Sequence, residues 1–188
     1  SERENPRAGR GIMAAEVGEA ERLVPYLYTL DARAAGERLA ALGAASVDAL
    51  IRVISGAYVV PDLNKLEAAT VDGVLLVCVG ADEPPNYAAA KERAAYLLGD
   101  IGDTRVVEPL LTALKSESDR YVRLAMLLAL GKTGDARAFG ALVSALEGAV
   151  WTPDYRRIVA DVARVGGTRA ITPLIRFVQR QDYTYGAA

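Results

Sequence analysis

Histidine is absent from this chain and cysteine occurs once. Without imidazole there is no His-assisted serine or cysteine nucleophile and no histidine metal ligand, which removes most common hydrolase and metalloenzyme plans. The lone Cys78 has no partner for an internal disulfide or a zinc cluster, and inside the apolar run GVLLVCVG it reads as a small buried hydrophobe. That run is the most hydrophobic of the sequence, yet it falls well short of the ~20 residues a membrane helix needs, so no transmembrane segment is expected. Neither a GxxxxGK[ST] phosphate loop nor a GxGxxG turn after a strand occurs. No metal and no cofactor is therefore expected. Catalysis would have to rest on carboxylates, Lys, Arg or Tyr, and no acid–base pair can be assigned: Asp82 and Glu83 lie in a loop, and Asp161 reads as a helix-surface residue beside Arg157 or Arg164.

Phenylalanine and tryptophan are nearly as scarce, with two and one, against nine tyrosines. Among the hydrophobic residues, 52% of the chain, Ala, Leu and Val dominate, a mixture suited to helices packed through small side chains. Charge is almost balanced at −2, but residues 1–86 hold 8 basic and 13 acidic side chains and residues 87–188 hold 14 and 11. This asymmetry is too mild for a nucleic-acid-binding domain, which carries a distinctly basic face.

What the sequence does contain is a repeat. LGDIGDTRVVEPLLTAL, LGKTGDARAFGALVSAL and VARVGGTRAITPLIRFV begin at Leu98, Leu130 and Val162, each 32 residues after the last. In NYAAAKERAAYLLGDIGD the apolar Ala90, Ala94, Leu97, Leu98 and Ile101 recur at three- and four-residue steps, the face of a helix that should close at Gly99 or Gly102. Asp103 then stands where an N-cap belongs, opening a second helix through VVEPLLTALK. The next unit opens at Ser118 or Asp119, closes at Gly131 and Gly134, and is capped again by Asp135. The third begins near Pro153 and has Gly167 in place of the capping Asp, leaving Thr168 as the nearer cap. Pro109 and Pro173, 64 residues apart, fall near the first turn of the second helix in their units, where a missing N–H is tolerated.

The pattern VRxxAxxALGxxGDxRAxxxLxxAL, seen in YVRLAMLLALGKTGDARAFGALVSAL, resembles the HEAT-like repeats first associated with phycobilin lyases. The resemblance covers about residues 87–180, and it implies an all-α fold, an α-solenoid of antiparallel helix pairs whose second helices line the concave face. About ten helices are expected. The chain divides into a flexible leader at 1–14 and one repeat domain at 15–188, with clear repeats at about 87–116, 119–148 and 153–180. RLAALGAASVDALIRVI suggests a degenerate unit at about 31–55. Residues 56–86 are either a divergent repeat or an insertion. Asp62 is expected to cap a helix from Leu63 to about Gly80, with a strand at Gly73–Val79 as the alternative.

Members of such a family range from scaffolds to lyase subunits, so the repeat fixes fold better than chemistry. The expected function is a non-enzymatic protein-binding module; the alternative is a subunit of a bilin lyase, with nucleic-acid binding a lesser third. Register marks the exposed positions of the second helices as the candidate partner surface: Thr112, Ser144 and Arg176 are equivalent, as are Lys115, Glu147 and Gln179, opposite a stripe of Leu110, Leu114, Leu142, Leu146, Leu174 and Val178. Arg180, Trp151 and Tyr155 extend the candidate surface. Residues 153–180 carry six Arg against two Asp, which points to a partner with an acidic surface. Arg105, Arg137 and Arg169 recur two residues after Asp103, Asp135 and Gly167, and are expected to pair with the capping Asp of an adjacent unit rather than to bind a ligand. A cytoplasmic setting is the base-rate expectation.

Overall fold

The computed structural model describes residues 6–29, 32–65, 69–71, 74–76, 85–147 and 153–185. Among these residues nine α-helices form a stack of antiparallel pairs, the all-α arrangement that the 32-residue period implies. Helix α1 (Pro6–Leu23) leads through a 3₁₀ segment at Val24–Tyr28 into the pair α2 (Ala32–Leu42) and α3 (Val47–Ser55). Then come the pairs α4 (Tyr87–Ile101) and α5 (Val107–Ser116), α6 (Arg120–Thr133) and α7 (Phe139–Glu147), and α8 (Pro153–Gly166) and α9 (Ile171–Tyr185). Helix starts within the expected leader at Pro6, a residue suited to a first helical turn. The Ala- and Glu-rich sequence that follows favours helix, and Ala20 and Leu23 anchor its end in the core.

Each clear pair is built by the same local devices. Gly102 and Gly134 close α4 and α6 in the left-handed conformation, at φ 69° in both, where a β-carbon would be strained. Asp103 Oδ1 and Asp135 Oδ1 then accept the amide N–H of Arg105 and Arg137, starting short 3₁₀ turns at Thr104–Val106 and Ala136–Ala138 that run into α5 and α7. Asp119, not Ser118, opens α6 by accepting from the amides of Tyr121 and Val122. In the third pair Gly167 itself takes positive φ, and Thr168 does not act as the cap. Pro109 and Pro173 both stand in the first turn of α5 and α9, as their register requires.

The core runs continuously through the stack, from Leu27, Leu39, Leu50 and Ile54 through Leu98, Leu110, Met126 and Leu130 to Leu142 and Leu146. Each such aliphatic side chain contributes about 1.5–3 kcal/mol through burial. Ser46, the one buried polar residue among those described, donates to the carbonyls of Leu39 and Gly43 and so is satisfied. Near the first pair, Tyr28 stacks on Tyr58 at 6.0 Å and meets Tyr87 edge-on at 5.6 Å; burial, with the two neighbouring phenols, pushes the Tyr28 hydroxyl up to about 12.

The first helices form one layer and the second helices another, but the layers are not equally spaced. Helices α4 and α6 make the most extensive interhelical contact of the molecule, whereas α5 and α7 scarcely touch. Gly99 explains the first fact: a methyl group there would lie 2.8 Å from the Cα of Ala129, so only glycine lets the two backbones approach this closely. One repeat further on, Gly131 instead leaves room for the side chain of Asp161 of α8. A stack whose first helices are closer than its second helices bends toward the first. Between these units the second helices are consequently the more widely spaced layer.

The segment between α3 and α4 departs from the expected helix over Leu63–Gly80. It has a 3₁₀ turn at Leu63–Lys65 and two antiparallel strands, β1 (Ala69–Val71) and β2 (Val74–Leu76), paired Ala69 with Leu76 and Val71 with Val74. Thr70, Val71 and Val74 are β-branched, and Asp72-Gly73 between the strands is a dipeptide favoured in two-residue hairpin turns. The hairpin packs beside α2, while α3 packs directly on α4 and α5, so no helix pair intervenes. Arg105 reaches the carbonyl of Ala44, 61 residues earlier, just as Arg137 reaches that of Thr104, 33 residues earlier. The register of the stack is thus preserved across 28 additional residues.

Candidate functional site

The recurring arginines turn out to serve the turns. Arg105 and Arg137 fold back onto the capping Asp of their own unit, at 2.7 Å (Arg105 to Asp103) and 2.8 Å (Arg137 to Asp135), and not onto the cap of an adjacent unit. The Asp side chain accepts the Arg amide, which fixes the two residues in a tight turn with the guanidinium already beside the carboxylate. From there each Arg extends to the preceding pair: Arg105 to Asp48 at 3.7 Å, Arg137 to Glu108 at 3.1 Å. The Arg137 side chain and amide hold the Asp135 carboxyl down to about 2, and Arg105 likewise lowers that of Asp103. Where the third unit lacks the acid, the Arg169 guanidinium lies over the Phe139 ring, 4.9 Å from its centre. All three arginines are thereby engaged in stacking one pair on the next.

The first-helix layer is similarly tied. Lys132 bonds Asp100 on the neighbouring helix, and Arg164 bonds both the Gly131 carbonyl and Asp161. Arg93 donates to the carbonyls of Leu27 and Thr29, clamping the 3₁₀ segment to α4. Burial raises the Glu117 carboxyl, but Lys91 at 2.8 Å and the amides of Asp119 and Ser118 outweigh it and hold the group below the usual carboxylate range.

Against this background the second-helix layer is the open one. A groove of about 440 Å³ runs between α5 and α7, with α6 beneath it. Thr112, Lys115 and Ser144 line it, three of the candidate positions, together with Glu108, Leu111, Arg123 and Leu127. It stays open because α7 presents only Ala141, Ser144 and Ala145 here, side chains too short to reach α5. A smaller recess of about 50 Å³ follows between α7 and α9, and its lining includes Glu147, Arg176 and Arg180, the remaining described candidates. Arg180 donates to the Leu146 carbonyl at 2.8 Å. Trp151 lies outside the described residues, and of Tyr155 only the backbone, in α8, is described.

Repeat register found the exposed column but missed its apolar floor. Ala141 and Ala145, small residues one turn apart on α7, were the available signal. The expected buried stripe holds for Leu110, Leu114, Leu142 and Leu146, and Leu174 is half-buried, but Val178 is 57% exposed because no helix packs on that side of α9 among the described residues. A third concavity, of about 400 Å³, lies on the opposite layer between α2 and α4, where Gly36 faces Leu97. Among the described residues no cluster of His, Cys, Asp or Glu could hold a metal ion, and no helix is long and apolar enough to cross a membrane.

No curated protein matches the sequence significantly. The family model of HEAT repeats matches residues 81–161, the stretch from the chain before α4 to the middle of α8. That match is to the repeat in general and does not extend to the phycobilin-lyase type. HEAT repeats as a class mediate protein–protein interaction. With glycine-closed first helices, Asp-capped second helices and a 32-residue register, the matched residues 81–161 are HEAT-like repeats.

Proposed function

We propose that this chain is a non-enzymatic scaffold that holds a segment of another protein along the row of its second helices. One observation carries the reading: six candidate positions, Thr112, Lys115, Ser144, Glu147, Arg176 and Arg180, line two successive recesses on one layer, while the recurring arginines are used in stacking. The larger recess has an apolar floor of Leu111, Leu127, Ala141 and Ala145 and a polar rim, the make-up of a surface that anchors side chains and fixes their orientation. Lys115 and Arg123 at the groove and Arg176 and Arg180 at the recess outnumber Glu108 and Glu147, which favours an acidic partner.

The test is affinity capture from the native host with three baits. Ser144→Trp fills the groove without touching the buried stripe and should abolish capture of the partner that the parent retains. Arg176→Glu with Arg180→Glu should weaken capture and flatten its dependence on salt. Arg120→Glu, on the exposed start of α6 in the other layer, should capture as the parent does. Retention by the Ser144→Trp bait together with loss by the Arg120→Glu bait would move the site to the first-helix layer. An absorbance change on mixing the pure chain with bilin would instead support a tetrapyrrole-lyase subunit, the alternative that the resemblance implies.

A further inference from the structure

We propose that Asp161 and Arg164 form an ionic latch holding the pair α8–α9 to α6, and that its release lets this pair swing about its contact with α7. The repeat register makes the comparison of successive junctions direct: Gly99 is equivalent to Gly131, and Ala129 to Asp161, each 32 residues apart. At the first junction a β-carbon on Gly99 would lie 2.8 Å from the Ala129 Cα, so backbone packs on backbone. At the second, the Asp161 carboxylate fills the space that a β-carbon on Gly131 would need. A charged side chain therefore stands between α6 and α8 where the preceding junction has a methyl group. In keeping with this, α6 and α8 make less extensive contact than α4 and α6 do.

An acid in such a place needs a cation. The Asp161 side chain is only 16% exposed, and Arg164, one turn further along α8, donates to its Oδ1 at 2.7 Å. The same guanidinium donates to the Gly131 carbonyl in the last turn of α6, where a cation is favoured. Asp161 thus holds Arg164 in the position from which it crosses the junction. Lys132, the equivalent of Arg164, is engaged by Asp100 across the first junction. Arg164 is 51% exposed, so salt reaches the latch and screens it. Toward α7 the attachment is apolar: the Phe139 ring packs against Gly166, leaving no room there for a β-carbon. Screening therefore weakens the α6 side of α8 and spares the α7 side, which makes the contact with α7 the axis. A swing about that axis carries α9 with α8 and reshapes the recess that Glu147, Arg176 and Arg180 line between α7 and α9. The latch stands whether or not a partner protein binds in that recess.

Hydrogen exchange of the full chain, read by mass spectrometry on peptides from α4, α6, α8 and α9, tests this between about 0.01 M and about 1 M sodium chloride, where the screening length falls about tenfold. Exchange in α8 and α9 should accelerate together, on the order of fivefold, relative to α4 and α6. Helices α4 and α6 are the internal reference, since their junction also carries an ion pair but has packed backbones. Asp161→Asn, which keeps the shape and removes the charge, should exchange at low salt as the parent does at high salt. Asp161→Ala, which copies the residue of the first junction, should likewise lose the salt dependence; circular dichroism checks that both variants are folded. The parent's salt series needs no variant and decides the matter by itself if either folds poorly. Exchange of α8 and α9 in the parent that does not respond to salt would overturn the latch. So would an Asp161→Asn chain that keeps the parent's salt dependence, or an acceleration confined to α8 while α9 stays protected.

Discussion

Asp135 shows how much of this fold is decided by single side chains. Its carboxylate accepts the Arg137 amide and pairs with the Arg137 guanidinium, which holds it at about 2 against an ordinary 3.8. A carboxyl whose pKa is lower in the folded state contributes its full stabilisation above the ordinary value and loses it as pH falls toward the folded one. Urea melts of Asp135→Asn and of the parent at pH about 5 and about 2.5 should therefore show a larger acid-induced drop for the parent. Gly99→Ala should destabilise by about 1–3 kcal/mol, because its methyl group meets backbone and not a movable side chain. Gly140→Ala, with nothing near the added methyl, should instead stabilise α7 by about 0.5 kcal/mol, and thermal melts separate the two. The caps at Asp103, Asp119 and Asp135 were legible in the sequence because they depend only on neighbours two or three residues away. The arginine pairings were half legible: sequence showed that they belong to the repeat, but whether a guanidinium turns to its own cap or to the next unit is settled by turn geometry.

At the scale of elements, legibility follows periodicity. Helices α4 to α9 follow from apolar spacing and closing glycines, whereas Ala69–Leu76 has no such period: Asp62 resembles a cap and favours a helix there, and of the alternative strand at Gly73–Val79 the structure describes β2. Asp72-Gly73 between β-branched residues was the better signal. The preserved contacts of Arg105 across this segment imply that the stack does not depend on it. Replacing residues 61–84 by a short Gly-Ser linker, which leaves Tyr58 and Tyr87 in place against Tyr28, should keep the helical ellipticity of the remaining residues and shift melting only slightly. Loss of cooperative melting in that variant would show that the hairpin is part of the core. The groove was not legible as a groove, since the spacing between α5 and α7 depends on Gly99 in the opposite layer.

For the whole molecule, stability should be shared between neighbouring pairs, as in other one-dimensional arrays. Ending the chain at Glu147 removes α8 and α9 and uncovers Phe139 and Leu146, so the remaining pairs should melt at lower temperature and in lower urea than in the full chain. An unchanged midpoint would show that each pair is stable alone.

The unequal layers have a mechanical consequence. Glycine contact at Gly99 leaves no gap to compress between α4 and α6, so that line acts as the pivot of the stack. Any change in curvature must then appear as opening or narrowing of the groove between α5 and α7. A side chain wedged into that groove would set the angle between the two units, and with it the distance between the ends of the array. Conversely, tension on the ends would straighten the stack, narrow the groove and expel its occupant, so that binding strength would report on load.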